Sequence, residues 1–282
     1  MPGTPIRPVS TAISARAGAV LSCAVALLLG AAGCTSDHSP SHPTSSAPSA
    51  PHSSALSTQV AALPGTAPAT ASALAAFLQQ GFSSSSSARI TFSTALSGNA
   101  LAGGGSVRLA GGQVSGLDVR ATVSKIGAVH YLLVDGRAYA ALPKPTAGKQ
   151  YVLLGGSRSG DDLTRAAIGL QAIKLLAAPA TYRTLVTGAS ALRLVDRLGL
   201  NGVPALHYRA PVSIDRIPAS DPVRVALGAL GVTTLTLDLW VDGAGRPLKA
   251  SAPAAGRASD VSFSAVNQPV TLTAPPAGQV AG

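Results

Sequence analysis

Few residues in this 282-residue chain are of a kind that does chemistry. Beyond residue 69 there are two histidines, and each stands before a tyrosine, as His130-Tyr131 and His207-Tyr208. Both pairs sit in runs where apolar residues alternate with others, the pattern of a half-buried strand. That places the imidazoles on a sheet face rather than poised as general bases. All eleven acidic residues are Asp. Asp135 and Asp242, with Asn201, have the neighbours of turn formers; Asp161, Asp162 and Asp221 stand where helices start. Asp118 and Asp238 remain as mid-strand carboxylates expected to face solvent. The chain has no GxSxG, SxxK, HExxH or GxGxxG. Thr146-Ala147-Gly148-Lys149 ends like a phosphate loop, but Gln150 follows where a magnesium-binding hydroxyl is needed, and the leading glycine is missing. The expectation is a protein that is not an enzyme and holds no cofactor and no metal.

The other reactive group is a thiol. Residues 1–16 carry Arg7 and Arg16 and no acid; residues 17–33 are uncharged and apolar and include Cys23. This is the n-region and h-region of a signal peptide, at the short limit for spanning a bilayer. It ends Ala31-Ala32-Gly33-Cys34, which resembles the lipobox of bacterial lipoproteins, with Ala31 and the more distant Leu29 where a leucine is usual. The resemblance implies cleavage before Cys34 and acylation of its sulfur. Each buried methylene then contributes about 0.8 kcal/mol of membrane affinity, and two or three chains give lasting attachment. No cysteine follows Cys34, so the mature chain has neither a disulfide nor a thiol metal site.

Residues 34–69 are rich in Ser, Pro and Ala and too polar to bury a core. They read as a tether with a reach of roughly 30–35 Å. His38, His42 and His52 fall here without the ordered spacing of metal ligands. The net charge is +10, with sixteen Arg and five Lys. The arginines are spread singly, which argues against nucleic-acid binding, and the Ala, Gly and Arg excess reads as GC-rich coding.

Residues 70–282 read as a single domain, with its folded part running to about residue 276. A helix opens it, capped by Thr70 or Ser72, with Leu74, Phe77 and Leu78 on one face. Strands follow at 88–96, near Val107–Leu109 inside a glycine-rich stretch, and at 116–123. Asp135-Gly136 between two apolar runs predicts a hairpin, because a type I′ turn needs positive φ at both central residues. Tyr151–Leu154 is a further short strand. Residues 161–178 and 220–230 have helical periodicity, the latter started by Ser220 and Pro222. Strands near Leu192–Leu198 and at 205–212 flank the turn Asn201-Gly202, and three more lie at 232–241, 246–252 and 259–266. The last residues, VTLTAPP, read as extended. The order is α+β: a curved antiparallel sheet whose half-polar strands have one face covered and one face in water.

The hairpin YLLVDGRAYAALP, the turn GLNGVPALHYRAPV, the segment LWVDGAGRPLKA and the end VSFSAVNQPVTLTAPP, in this order after a lipobox and a helix, resemble the actinobacterial LppX/LprA/LprF/LprG lipoproteins over about residues 70–276. The resemblance implies a half-barrel with helices on its concave face, LolA/LolB-like, around an apolar cavity. It also implies a protein on the extracytoplasmic side of the cell membrane that binds and shuttles lipids or acylated glycolipids; the chain is expected to be a monomer, with an envelope transporter as a candidate partner. The inward positions of the alternating strands suggest Leu117, Val119, Val123, Leu133, Leu235, Leu237 and Leu239 as its wall, with Leu163, Leu170 and Ile173 from the central helix. The alternative is a tethered scaffold module in which these ten side chains pack on one another as a closed core.

Overall fold

The computed structural model describes residue 63 and residues 65–96, 99–253 and 259–281. Cys34, the signal segment and the proposed tether up to residue 62 lie outside the described residues.

One helix leads into a hairpin-rich half. Helix α1 (Ala71–Ser83) is capped by Thr70, whose hydroxyl accepts from the Ala73 N–H, and buries Leu74, Leu78 and Phe82. Strands β1 (Ser87–Leu96), β2 (Asn99–Ala110), β3 (Gln113–Val123), β4 (Gly127–Val134), β5 (Arg137–Ala141) and β6 (Tyr151–Leu153) follow. The turn Asp135-Gly136 has φ of 50° and 76°, as the dipeptide predicts. Helices α2 (Asp161–Ala177) and α3 (Pro179–Thr187) then intervene before β7 (Arg193–Leu200) and β8 (Val203–Ser213). Helix α4 (Pro222–Ala229) precedes β9 (Thr234–Asp242), β10 (Pro247–Ser251), β11 (Asp260–Ser264) and β12 (Val280–Ala281). Among the described residues no helix is long and apolar enough to cross a membrane.

The twelve strands of the described residues join one open sheet in the order β12-β6-β5-β4-β3-β2-β1-β11-β10-β9-β8-β7. The pairs are antiparallel apart from β12 on β6. The β1–β11 pairing, Ile90 opposite Phe263 and Phe92 opposite Val261, joins the N-terminal hairpins to the C-terminal strands. The four helices cover the concave face, with α1 against α3 and α2 over β3. This is the half-barrel expected from the sequence.

Four expectations need correction. The helix read as ending at residue 178 is followed by a second one. Ala178 is extended (φ −82°, ψ 110°) because it precedes Pro179, and Pro179 then starts α3. The glycine-rich stretch is a full twelve-residue strand, β2. Its Gly103 and Gly105 lie so close to β3 that a Cβ would stand 2.2 Å from the Arg120 carbonyl oxygen and 2.1 Å from that of Asp118. The missing side chains let β2 and β3 approach closely there. Helix α4 is capped by Asp221, whose carboxylate accepts from the Val223 N–H at 2.8 Å. The fourth concerns the outer face. It is not uniformly wet, because the C-terminal segment crosses it: Leu272 packs against Gly116, Leu132, Val134 and Tyr139 form a second apolar cluster with Leu272 and Val280, and β12 pairs in parallel with β6.

Candidate functional site

The concave face is built by alternation. Val119 in β3 stands beside Tyr131 in β4, which stands beside Ala140 in β5; Tyr208 in β8 stands beside Leu239 in β9. Successive inward residues of each strand therefore form continuous apolar rows under the helices. Seven of the ten suggested wall residues lie in these rows: Leu117, Val119, Val123 and Leu133 on one side, Leu235, Leu237 and Leu239 on the other. All seven are buried. From α2, Leu170 and Ile173 are buried, and Leu163 is half-buried and packs against the same cluster. The ten belong to one contiguous apolar cluster. Leu235 also lines an open groove of about 380 Å³ beside Ser190, Pro211, Thr234 and Pro253.

Two unpaired polar atoms interrupt this lining. The hydroxyls of Tyr131 and Tyr208, residues 0% and 1% exposed, have no hydrogen-bond partner among the described residues. Tyr131 reaches α2 where that helix has Gly169: a Cβ there would lie 2.6 Å from the hydroxyl oxygen. Two other tyrosine hydroxyls are bonded. That of Tyr182 donates to the Leu176 carbonyl at 2.5 Å, and that of Tyr151 is 3.1 Å from His130 Nδ1. An unpaired buried hydroxyl costs about 1–3 kcal/mol, so at both positions a phenylalanine would be the better core residue. Burial pushes the Tyr208 phenol up to about 12, and it pushes the Tyr131 and Tyr182 phenols well above their usual range. All three stay protonated near neutrality and act as donors.

The outer face carries the histidines. His130 Nε2 lies 2.7 Å from Asp118. His207 Nε2 lies 2.7 Å from Asp238, and its Nδ1 lies 3.4 Å from Asp196. Its ring stacks on Trp240 at 4.1 Å and 10°, and Lys249 Nζ sits 5.0 Å above that indole. Arg209 Nε donates to Asp238 at 2.8 Å. Asp238, expected in solvent, is thus buried: it is 8% exposed because His207 and Arg209 close over it. Asp118 keeps 46% of its side chain exposed. Both ring nitrogens of each imidazole have a near neighbour, Asp118 and Tyr151 for His130 and the two carboxylates of Asp238 and Asp196 for His207. Among the described residues no group of three His, Cys, Asp or Glu is placed to hold a metal.

Sequence reasoning missed Tyr131 and Tyr208 as the polar atoms of the interior. A signal was present, since Tyr131 is two residues from Leu133 and so shares its inward face.

No protein-family model matches the chain, and no curated protein matches it. Solved structures similar to it include lipoprotein LppX of Mycobacterium tuberculosis, at 14% identity and a TM-score of 0.46 over 72% of this chain and 99% of that one. LprF of Mycobacterium bovis is similar at 14% identity and a TM-score of 0.44 over 74% and 99%. A MucA/MucB complex of Pseudomonas aeruginosa is similar at 18% identity and 0.34 over 73% and 59%. LppX and LprF bear names of the family that the sequence resembles.

Proposed function

We propose that the protein is a non-catalytic lipid carrier, held through acylated Cys34 on the extracytoplasmic side of the cell membrane, that binds and shuttles lipids or acylated glycolipids. The observation that carries this reading is the continuous aliphatic inner face of an open sheet under helices. An acyl chain moved from a bilayer to such a face stays out of water at both ends of the transfer, so the exchange is close to balanced. Selectivity then falls to shape and to the few polar atoms inside. An envelope transporter is the partner this role would need.

The packing of all ten wall residues into one cluster favours a second reading, a tethered scaffold module with a closed core. Organic extraction of the purified full chain, followed by mass spectrometry, separates the two. Lipid in stoichiometric amount beyond the Cys34 modification is expected for a carrier; a stable protein that yields none would leave only the scaffold. Metabolic labelling with palmitate, lost in Cys34→Ser, tests the anchor.

A further inference from the structure

The two unpaired hydroxyls stand seven strands apart in the sheet order, one on β4 and one on β8, on opposite flanks of the concave face. Both side chains belong to the apolar cluster, Arg197 lies near enough to Tyr208 to oppose part of the effect of its burial, and neither hydroxyl has a hydrogen-bond partner among the described residues. The chain satisfies Tyr182 and Tyr151 and leaves these two free. Beside Tyr131 the helix residue is Gly169, and the strand neighbours Val119 and Ala140 offer no polar side-chain atom. Near neutrality each phenol is a donor in search of an acceptor. A hydrocarbon in this space would leave both unpaired, and an ether oxygen is a weaker acceptor than a carbonyl.

On the carrier reading, we propose that the Tyr131 and Tyr208 hydroxyls are hydrogen-bonding posts for carbonyl oxygens of the cargo, so that the protein selects lipids whose ester groups lie among their hydrocarbon over ether or pure hydrocarbon analogues. The tyrosines set where along the chamber the ester groups stop; the aliphatic rows hold the chains without regard to their identity.

The test is equilibrium binding of a labelled fatty diester of a long-chain α,ω-diol, whose two ester groups are far enough apart to reach both flanks, and of its dialkyl ether counterpart to the delipidated full chain, for wild type, Tyr131→Phe, Tyr208→Phe and the double variant. Wild type is expected to favour the ester by roughly 25-fold, from two hydrogen bonds of about fivefold each. Each single variant should bind the ester about fivefold more weakly with the ether unchanged, and the double variant should bind both alike. Because an unpaired hydroxyl is removed, the ligand-free Phe variants should melt no lower than wild type. The two single variants are independent, so one that failed to fold would leave the other decisive. Equal binding of ester and ether by wild type, or equal losses for both probes in the variants, overturns the assignment and leaves the carrier reading standing. Binding of neither probe by wild type overturns both.

Discussion

The contact between Tyr131 and α2 can be tested without any ligand. In Gly169→Ala the new Cβ would lie 2.6 Å from the Tyr131 hydroxyl oxygen, too close to stand, while the next atoms, Tyr131 Cζ at 3.5 Å and Leu101 Cδ1 at 3.9 Å, are at ordinary contact distance. The conflict is therefore with one oxygen atom. Alanine is better than glycine in a helix interior by about 1 kcal/mol, but overpacking of this kind costs about 1–3 kcal/mol. The single substitution should be neutral to destabilising by up to about 2 kcal/mol. Tyr131→Phe deletes that oxygen and, with it, an unpaired buried hydroxyl worth about 1–3 kcal/mol. In the Phe background Gly169→Ala should then be stabilising by about 1 kcal/mol. The cycle predicts a coupling of about 1–3 kcal/mol, read from urea denaturation midpoints of the four proteins at constant slope. Additivity within about 0.5 kcal/mol would refute the placement of the hydroxyl beneath α2, and with it the argument that Gly169 is there to make room.

Stability should fall as pH rises above 10: the unfolded tyrosines ionise near their usual value of about 10, whereas Tyr208 holds its proton to about 12 and Tyr131 and Tyr182 hold theirs beyond. The contribution is whole below pH 10 and is lost through the folded values, at up to about 1.4 kcal/mol per pH unit for each group; urea midpoints at pH 9 and 11 should show a shallower loss in Tyr208→Phe, and an equal loss would count against its burial. Gly105→Val drives a branched side chain into a site where even a Cβ would be 2.1 Å from the Asp118 carbonyl oxygen, and should cost about 3 kcal/mol or prevent folding; circular dichroism showing wild-type stability would refute the close approach of β2 to β3. Asp238→Ala takes the carboxylate from buried His207 and should cost about 2 kcal/mol without changing lipid yield, and a parallel loss of lipid would bring the outer-face cluster into the binding function.

What could be read in advance was whatever is encoded by local alternation. Leu117, Val119 and Val123 announce an inward row because Asp118, Arg120 and Thr122 separate them, and Leu235, Leu237 and Leu239 do the same in β9. Two-residue turns at Asp135-Gly136 and Asn201-Gly202 were legible from their need for positive φ, and both have it. Helix α3 was hidden because Ala178-Pro179 interrupts the chain without ending the helical layer. In β2 the run Gly103-Gly104-Gly105 lacks the side chains that alternation depends on, so a twelve-residue strand read as a short one. Strand β12 and the crossing of Leu272 over Gly116 are contacts between distant segments with no local signature. The burial of Asp238 also lay beyond the local pattern, because it depends on His207, one strand over, folding toward it. The unpaired state of Tyr131 was equally illegible, since it depends on Gly169 in a helix thirty-eight positions later.

If the protein is a carrier, its packed core must also open to cargo, and the composition of α2 suits it to both. Of its six buried residues, Ala166, Gly169, Leu170, Ala172, Ile173 and Ala177, four are alanine or glycine. Leu170 and Ile173 hold the helix down with about 1.5–3 kcal/mol each, and each alanine methyl adds about 0.8 kcal/mol. Lifting α2 into water would thus cost about 5–8 kcal/mol, enough to keep it closed. An acyl chain that enters beneath the helix takes over the same contacts, so the apolar faces of α2 and of the sheet stay out of water and the cost of parting them is offset. A helix faced with leucine throughout would be too firmly seated for that exchange. One faced with polar residues would leave the inner rows wet. On the carrier reading the small residues of α2 let the ten aliphatic side chains be core when the protein is empty and wall when it is loaded, and the two unpaired tyrosine hydroxyls gain partners only in the loaded state.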